Sequence, residues 1–176
     1  FISRLQGTDR VGIVVFAGEP RTASPISVDY SNFEFKIDRL DVESRGIREG
    51  SDLAKAVQYA AERFDLAKKI GERDRILIVI SDGDVSAEEI AKAIEAAQKH
   101  KVTIYAIGVG TPAGSRIMVP TADGKGVEPL VDSKTGQPAI TRLVEGPLQT
   151  LSERTGGAYF RSGEESSIDR VLKEIA

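Results

Sequence analysis

Arg75-Ile76-Leu77-Ile78-Val79-Ile80-Ser81-Asp82-Gly83-Asp84 decides the fold. A basic residue gives way to five consecutive aliphatic side chains, most of them β-branched, and the chain then turns polar, acidic and flexible at once. A membrane-spanning helix needs about 20 apolar residues, so a run this short reads instead as a strand. With both faces apolar, it is the kind of strand found at the centre of a parallel sheet. In such sheets ligands settle in the crevice beyond the carboxyl ends of the strands, which is where Ser81, Asp82, Gly83 and Asp84 stand. Gly83 lets the chain bend and admits another group close to the backbone. Asp82 is the first candidate to meet a cation, directly or through water. Asp82 and Asp84 can equally serve as caps of the turn into the next helix.

Upstream, Phe1 to Leu5 has apolar residues at helical spacing and stops at Gly7, as the tail of a helix would. Val11 to Phe16 is a second buried strand. Pro25 to Val28 is a short one whose proline suits an edge. Asp29 or Ser31 then caps a helix that runs to about Leu40, with Phe33, Ile37 and Leu40 on one face. A polar loop, 41–50, leads to a long amphipathic pattern carrying Leu53, Val57, Ala60, Ala61 and Phe64. Ser51 is placed to be the N-cap of that helix. Its hydroxyl, at the same sheet edge as Asp82, also has the chemistry of an oxygen ligand to a hard cation. Asp52 suits the positive end of the helix macrodipole, or orients Ser51.

Downstream, Ser86-Ala87-Glu88-Glu89 has capping-box spacing. The helix it opens turns Ile90, Ile94 and Ala97 inward and sets Glu88 with Lys92, and Glu95 with Lys99, on its wet face. Val102 to Ile107 is a further strand. The Gly108-Val109-Gly110 that follows is a tight turn rather than a dinucleotide fingerprint, because no helix opens after it and the third glycine is absent. From Gly114 to Leu143 the turn signals Asp123-Gly124, Asp132-Ser133 and Thr135-Gly136 separate short runs, which predicts a β-excursion outside the main sheet. An excursion of this length in a compact domain is often functional. Glu145 to Arg154 is a helix stopped by Gly156-Gly157, Ala158 to Phe160 a last strand, and Ile168, Val171, Leu172 and Ile175 face inward on a final helix. The alternation predicts an α/β fold: a Rossmann-like three-layer sandwich, a mostly parallel central sheet flanked by helices, as one domain over 1–176. Right-handed crossovers bring Phe16, Asp82 and Gly108 to one end of the sheet.

The bulk composition narrows the function. The 176 residues are 40% hydrophobic and 29% charged with a net charge of −3, ordinary for a globular protein. No basic stripe interleaved with aromatics suggests nucleic acid. There are no cysteines, so disulfides and thiolate metal sites are excluded. The single histidine, His100, stands at a helix end, which leaves no Ser-His-Asp arrangement to support. There is no Walker-type loop. No run is apolar enough to span a membrane, and no signal peptide is visible. Phe1 is not a natural start, so the expectation is a fragment, soluble in itself, whose flanks carry membrane segments.

The order of signals is itself informative: Asp-Arg-Val-Gly-Ile-Val-Val-Phe-Ala-Gly at 9–18, Gly-Ser-Asp-Leu at 50–53, Ile-Ser-Asp-Gly at 80–83, Ile-Gly-Val-Gly-Thr-Pro at 107–112 and Thr-Gly-Gly-Ala-Tyr at 155–159. It resembles the von Willebrand factor A domain, and within it the bacterial Bat-type aerotolerance proteins. The resemblance implies a non-enzymatic protein-interaction module with a metal-ion-dependent adhesion site at the carboxyl edge of the sheet. There Mg²⁺, or Mn²⁺ or Ca²⁺, is held by oxygens and completed by an acidic side chain of a partner. Residue by residue it makes Ser51 and Asp82 the metal ligands, with Asp52, Ser81 and Gly83 beside them. It also implies a protein partner, such as a MoxR-type AAA+ ATPase system, and a membrane-associated, extracytoplasmic setting through flanking segments. The family's Asp-x-Ser-x-Ser loop is absent from the chain. The expectations are therefore weak or no metal binding by this chain, an opened sheet with unpaired backbone, and a neighbouring copy as one way to fill the gap. Two other functions compete. One is a Mg²⁺-dependent phosphohydrolase of the haloacid-dehalogenase type, with Asp82 as nucleophile and Asp84 as general acid. The other is a scaffold with a degenerate metal site.

Overall fold

The computed structural model describes residues 5, 7–40, 52–67, 74–121, 124–131, 135–163, 170–171 and 173–174. The expectations for residues 1–4, the 41–50 loop, Ser51, Ile168, Leu172 and Ile175 lie outside them. In chain order the elements are β1 (Val11–Val15), β2 (Arg21–Ser27), α1 (Tyr30–Asp38), α2 (Leu53–Leu66), β3 (Ile76–Ser81), α3 (Ala87–Lys99), β4 (Thr103–Gly108), β5 (Ser115–Arg116), β6 (Met118–Pro120), β7 (Val127–Pro129), β8 (Ile140–Thr141), α4 (Glu145–Arg154) and β9 (Tyr159–Arg161).

The two-residue period of extended backbone splits the aliphatic strands between two cores. Leu77 and Val79 of β3, with Ile104 and Ala106 of β4, point to one side. They meet Leu53, Val57 and Ala61 of α2, Ile90, Ala93, Ile94 and Ala97 of α3, and Leu148 and Leu151 of α4. Ile76, Ile78, Tyr105, Ile107 and Phe160 point to the other side and pack with Val171. Helices α2, α3 and α4 thus share one face, Val171 in helical backbone stands on the other, and the fold is the α/β Rossmann-like arrangement expected. Leu53, Ile104, Leu148 and Leu151 are fully buried, and each such side chain contributes roughly 1.5–3 kcal/mol of transfer free energy. The i, i+3, i+4, i+7 spacing of Ile90, Ala93, Ile94 and Ala97 seats α3 on the sheet. The Ser86–Glu89 capping box closes its first turn.

The strands β3, β4 and β9 form a parallel sheet in that order. Its register runs from Ile76 opposite Thr103 to Ser81 opposite Gly108, and Tyr159 stands opposite Ala106. Strands β1 and β2 pair antiparallel as a separate ribbon. This corrects the place of the aliphatic run. The central strand is β4, and among the described residues no strand pairs with the outer edge of β3. Ile80 is accordingly 56% exposed. An aliphatic run records a preference for burial; it does not record how many neighbours the strand has.

Two smaller expectations also change. The N-cap of α2 is Asp52, whose carboxylate accepts from the Lys55 amide. Ser51 and Asp52 are both able to cap, and α2 starts one residue later than the serine requires. In α1, capped by Asp29, Phe33 is buried, but Ile37 and Leu40 are 44% and 40% exposed. Among the described residues α1 packs on the two-stranded ribbon of β1 and β2, and Phe33 is the side chain it buries. At the amino end of β3, Arg75 Nη1 donates to Asp65 Oδ1 and to the His100 carbonyl, both at 2.8 Å. His100 Nδ1 lies 2.7 Å from Asp65 Oδ2. This cluster pins the ends of α2 and α3 to the start of the sheet.

Candidate functional site at the sheet edge

The chain leaves β3 through a turn built from its own side chains. Ser81 Oγ accepts from the Gly83 amide at 3.1 Å, and Asp82 Oδ1 accepts from the Asp84 amide at 3.3 Å. Gly83 has φ +73°, and a β-carbon there would lie 2.2 Å from the Val144 carbonyl oxygen. The start of α4 thus rests directly on the glycine. The Val144 amide donates to the Asp82 carbonyl at 2.8 Å, so the turn after β3 and the entry to α4 are locked together.

Asp82 has a further partner that the sequence did not suggest. Thr141 Oγ1 donates to Asp82 Oδ2 at 2.8 Å across 59 residues of chain. Thr141 lies on β8, at the end of the 114–143 excursion, opposite Ser115 of β5. The excursion is real: β5 pairs with β8 and β6 with β7, both antiparallel. It returns to the sheet edge through Thr141 and through the Leu143 amide, which donates to the Thr111 carbonyl at 3.1 Å. No local rule pairs a threonine with a distant aspartate. The available signal was the chain order, which leads the excursion back to the edge where Asp82 stands.

Asp52 is used differently. Its Oδ1 accepts from the Lys55 amide at 2.9 Å and its Oδ2 lies 3.2 Å from Lys55 Nζ. The Lys55 amide, followed by the Lys55 ammonium, holds its pKa below the usual aspartate value. Its own amide donates to the Ala17 carbonyl at 3.1 Å, which ties α2 to the turn after β1. Among the described residues no hydrogen bond or ion pair joins Asp52 to Asp82. Next to the Asp82 turn, Glu145 of α4 accepts from Tyr159 Oη at 2.8 Å and from Arg161 Nε at 2.9 Å. The Arg161 guanidinium, then the Tyr159 hydroxyl, lower the Glu145 pKa. Burial, then the contact with Glu145, push Tyr159 up to about 12.

A Mg²⁺-like ion prefers about six oxygen ligands. The carboxylate of Asp82 and the hydroxyls of Ser81 and Thr141 fit it in kind. Among the described residues no group of three or more histidine, aspartate or glutamate side chains stands there to complete the set, so most of the oxygens would have to come from hydroxyls and water. No helix among the described residues is long and apolar enough to cross a membrane.

Comparison with known proteins agrees with this architecture. The model of the von Willebrand factor type A domain matches residues 1–131. The chain is similar to an uncharacterized protein of Borreliella burgdorferi, 26% identical over 178 residues, which cover all of this chain and 48% of the relative. It thus spans about half the length of that curated relative. The crystal structure of the conserved hypothetical protein BatB from Bacteroides thetaiotaomicron superposes with a TM-score of 0.83 at 28% identity, covering 99% of this chain and 80% of that one. An aerotolerance-related membrane protein from Bacteroides fragilis superposes with a TM-score of 0.80 at 24% identity, covering 98% and 81%; at that identity the likeness speaks for the fold.

Proposed function

We propose that this chain, which belongs to the von Willebrand factor type A domain family, is a protein-interaction module that binds its partner at the sheet edge around Asp82. Domains of this family are generally non-enzymatic interaction modules, and the likeness to BatB places the chain beside the Bat aerotolerance proteins. The observation that carries the reading is the Asp82 turn itself. A carboxylate stands at the carboxyl end of a parallel strand, oriented by Thr141 and by the Asp84 amide, where α/β sheets present their ligands.

A divalent cation at this edge would be held by Asp82 and, as the family resemblance implies, by Ser51, with Ser81 and Gly83 on the turn after β3 and Asp52 at the start of α2. When bound, the ion supplies a positive charge to which a carboxylate of the partner attaches. The few charged donors at the edge make its affinity low, since a site's affinity follows the number and charge of its oxygen ligands. Calorimetric titration with Mg²⁺ and with Mn²⁺ tests the assignment. Dissociation constants weaker than roughly 0.1 mM are expected, with the remaining heat abolished in Asp82→Ala. Tight binding that persists in Asp82→Ala would sink the role given to Asp82. Hydrolysis of p-nitrophenyl phosphate that disappears in Asp82→Asn would overturn the non-enzymatic reading.

A further inference from the structure

The excursion carries an exposed apolar patch that the packing of the domain does not use. Met118, Val127, Val131 and Ile140 are 49%, 64%, 55% and 57% exposed in that order. Exposed apolar residues scattered singly need no explanation, but these all lie on the two strand pairs and the bridge of the excursion. Pro120 stands opposite Val127 and Arg116 opposite Ile140, which sets Met118 two residues along the same run from each pairing. Along β8 the strand alternates. Thr141 faces Asp82, so Ile140 and Arg142 face the other way, outward. Contiguous exposed apolar surface on a folded element marks an interaction site.

The charge on this face says what it fits. Arg116 and Arg142 are exposed, and neither is in an ion pair among the described residues. The chain as a whole has a net charge of −3, so the patch is a cationic spot on an acidic protein. A second copy is a poor occupant, since a self-complementary contact would set arginines against arginines. A lipid surface is disfavoured because the run 112–144 contains no tryptophan, tyrosine or phenylalanine, and the first two are the usual interfacial anchors.

We propose that the outer face of the 114–143 excursion is a docking surface for a protein segment that combines acidic and apolar side chains. The apolar side chains cover Met118, Val127 and Ile140, and the carboxylates pair with the guanidinium groups of Arg116 and Arg142. The proposal rests on the interaction-module reading and deepens it by naming the partner's chemistry, but it does not require the metal.

A random peptide library displayed on phage, panned against the native chain, tests it. The enriched peptides are expected to mix aspartate or glutamate with aliphatic residues. Their affinity, measured by fluorescence anisotropy on the synthesised sequences, should fall at least about tenfold in Arg116→Glu/Arg142→Glu and separately in Met118→Ser/Ile140→Ser. It should be the same with Mg²⁺ and with chelator. All four side chains are exposed, so both double variants should keep the parent's urea midpoint; a variant that does not is replaced by its single substitutions. Peptides that bind only with Mg²⁺ and ignore the patch variants would place the ligand at the Asp82 edge, overturning this inference while leaving the interaction module standing. No enrichment, or enrichment of basic peptides, would overturn it as well. So would co-sedimentation with phosphatidylglycerol vesicles that is lost in the patch variants while no peptide is selected, which would assign the face to lipid.

Discussion

Replacing Thr141 with valine removes one hydroxyl and keeps the β-branched shape that suits a strand. The lost contact is the 2.8 Å hydrogen bond to Asp82 Oδ2, in a part-buried setting. A hydrogen bond to a charged acceptor contributes roughly 1.5–3 kcal/mol when shielded. Partial exposure lets water take over some of that, so a loss of about 1 kcal/mol is expected. The backbone bonds from Val144 to Asp82 and from Leu143 to Thr111 survive the substitution, so the sheet should stay intact and the excursion should open locally. Urea denaturation of the native chain, Thr141→Val, Asp82→Ala and the double variant closes a cycle whose coupling energy should be about 1 kcal/mol. Amide exchange in the excursion should quicken by about fivefold to tenfold. Thr141→Ser, which retains the hydroxyl, should restore most of both. A coupling within about 0.3 kcal/mol of zero, or a serine variant no better than valine, would refute the claim that this hydroxyl orients Asp82.

Gly83→Ala should cost more than about 2 kcal/mol in urea denaturation, because φ is +73° and the new carbon would meet the Val144 carbonyl; a variant as stable as the parent would contradict the locked turn. Asp65→Ala removes the acceptor shared by Arg75 and His100 and should lower stability by about 2–3 kcal/mol, whereas a change under about 0.5 kcal/mol would mean the cluster is ornamental. Because the Tyr159 pKa in the fold is about 12, above the unfolded value near 10, its contribution is complete below about pH 10 and is lost as the pH rises toward about 12. Tyr159→Phe should therefore flatten the alkaline decline in the urea midpoint, and an unchanged slope would count against the assignment. Glu145 has the opposite sign: its lowered pKa means that its contribution is present above the unfolded carboxylate range and fades as the pH falls through the folded value, so Glu145→Gln should reduce the acid sensitivity of the same midpoint.

What the sequence made legible was whatever is encoded locally. The aliphatic runs Ile76–Ile80 and Val102–Ile107 named the strands, Ser86 with Glu89 started α3, and Ser81-Asp82-Gly83 marked the candidate turn from its position alone. The distant relations were not legible. Thr141 sits in the least periodic stretch of the chain, and its partner is fixed only once the excursion closes on the sheet. His100 reads as a charge at a helix end, although its ring meets Asp65 from α2. The edge position of β3 depends on which strands stand beside it, and its own composition is that of a strand with two neighbours. Ile37 and Leu40 follow a helical period, yet they stay exposed among the described residues, because a period names a face and not what lies against it.

The stitching of the excursion at its base has a consequence for how such a protein can change over time. Entry and exit are fastened to each other, the Leu143 amide to the Thr111 carbonyl and the Gly114 amide to the same oxygen. Apart from Thr141, which bonds Asp82, the sheet therefore registers little of what lies between them. Lengthening a flexible closed loop costs slowly, about 0.6 kcal/mol for each doubling. Away from Thr141, the segment is in this sense a cassette: its length can drift, or it can carry an inserted tag, while β3, β4 and α4 keep their places.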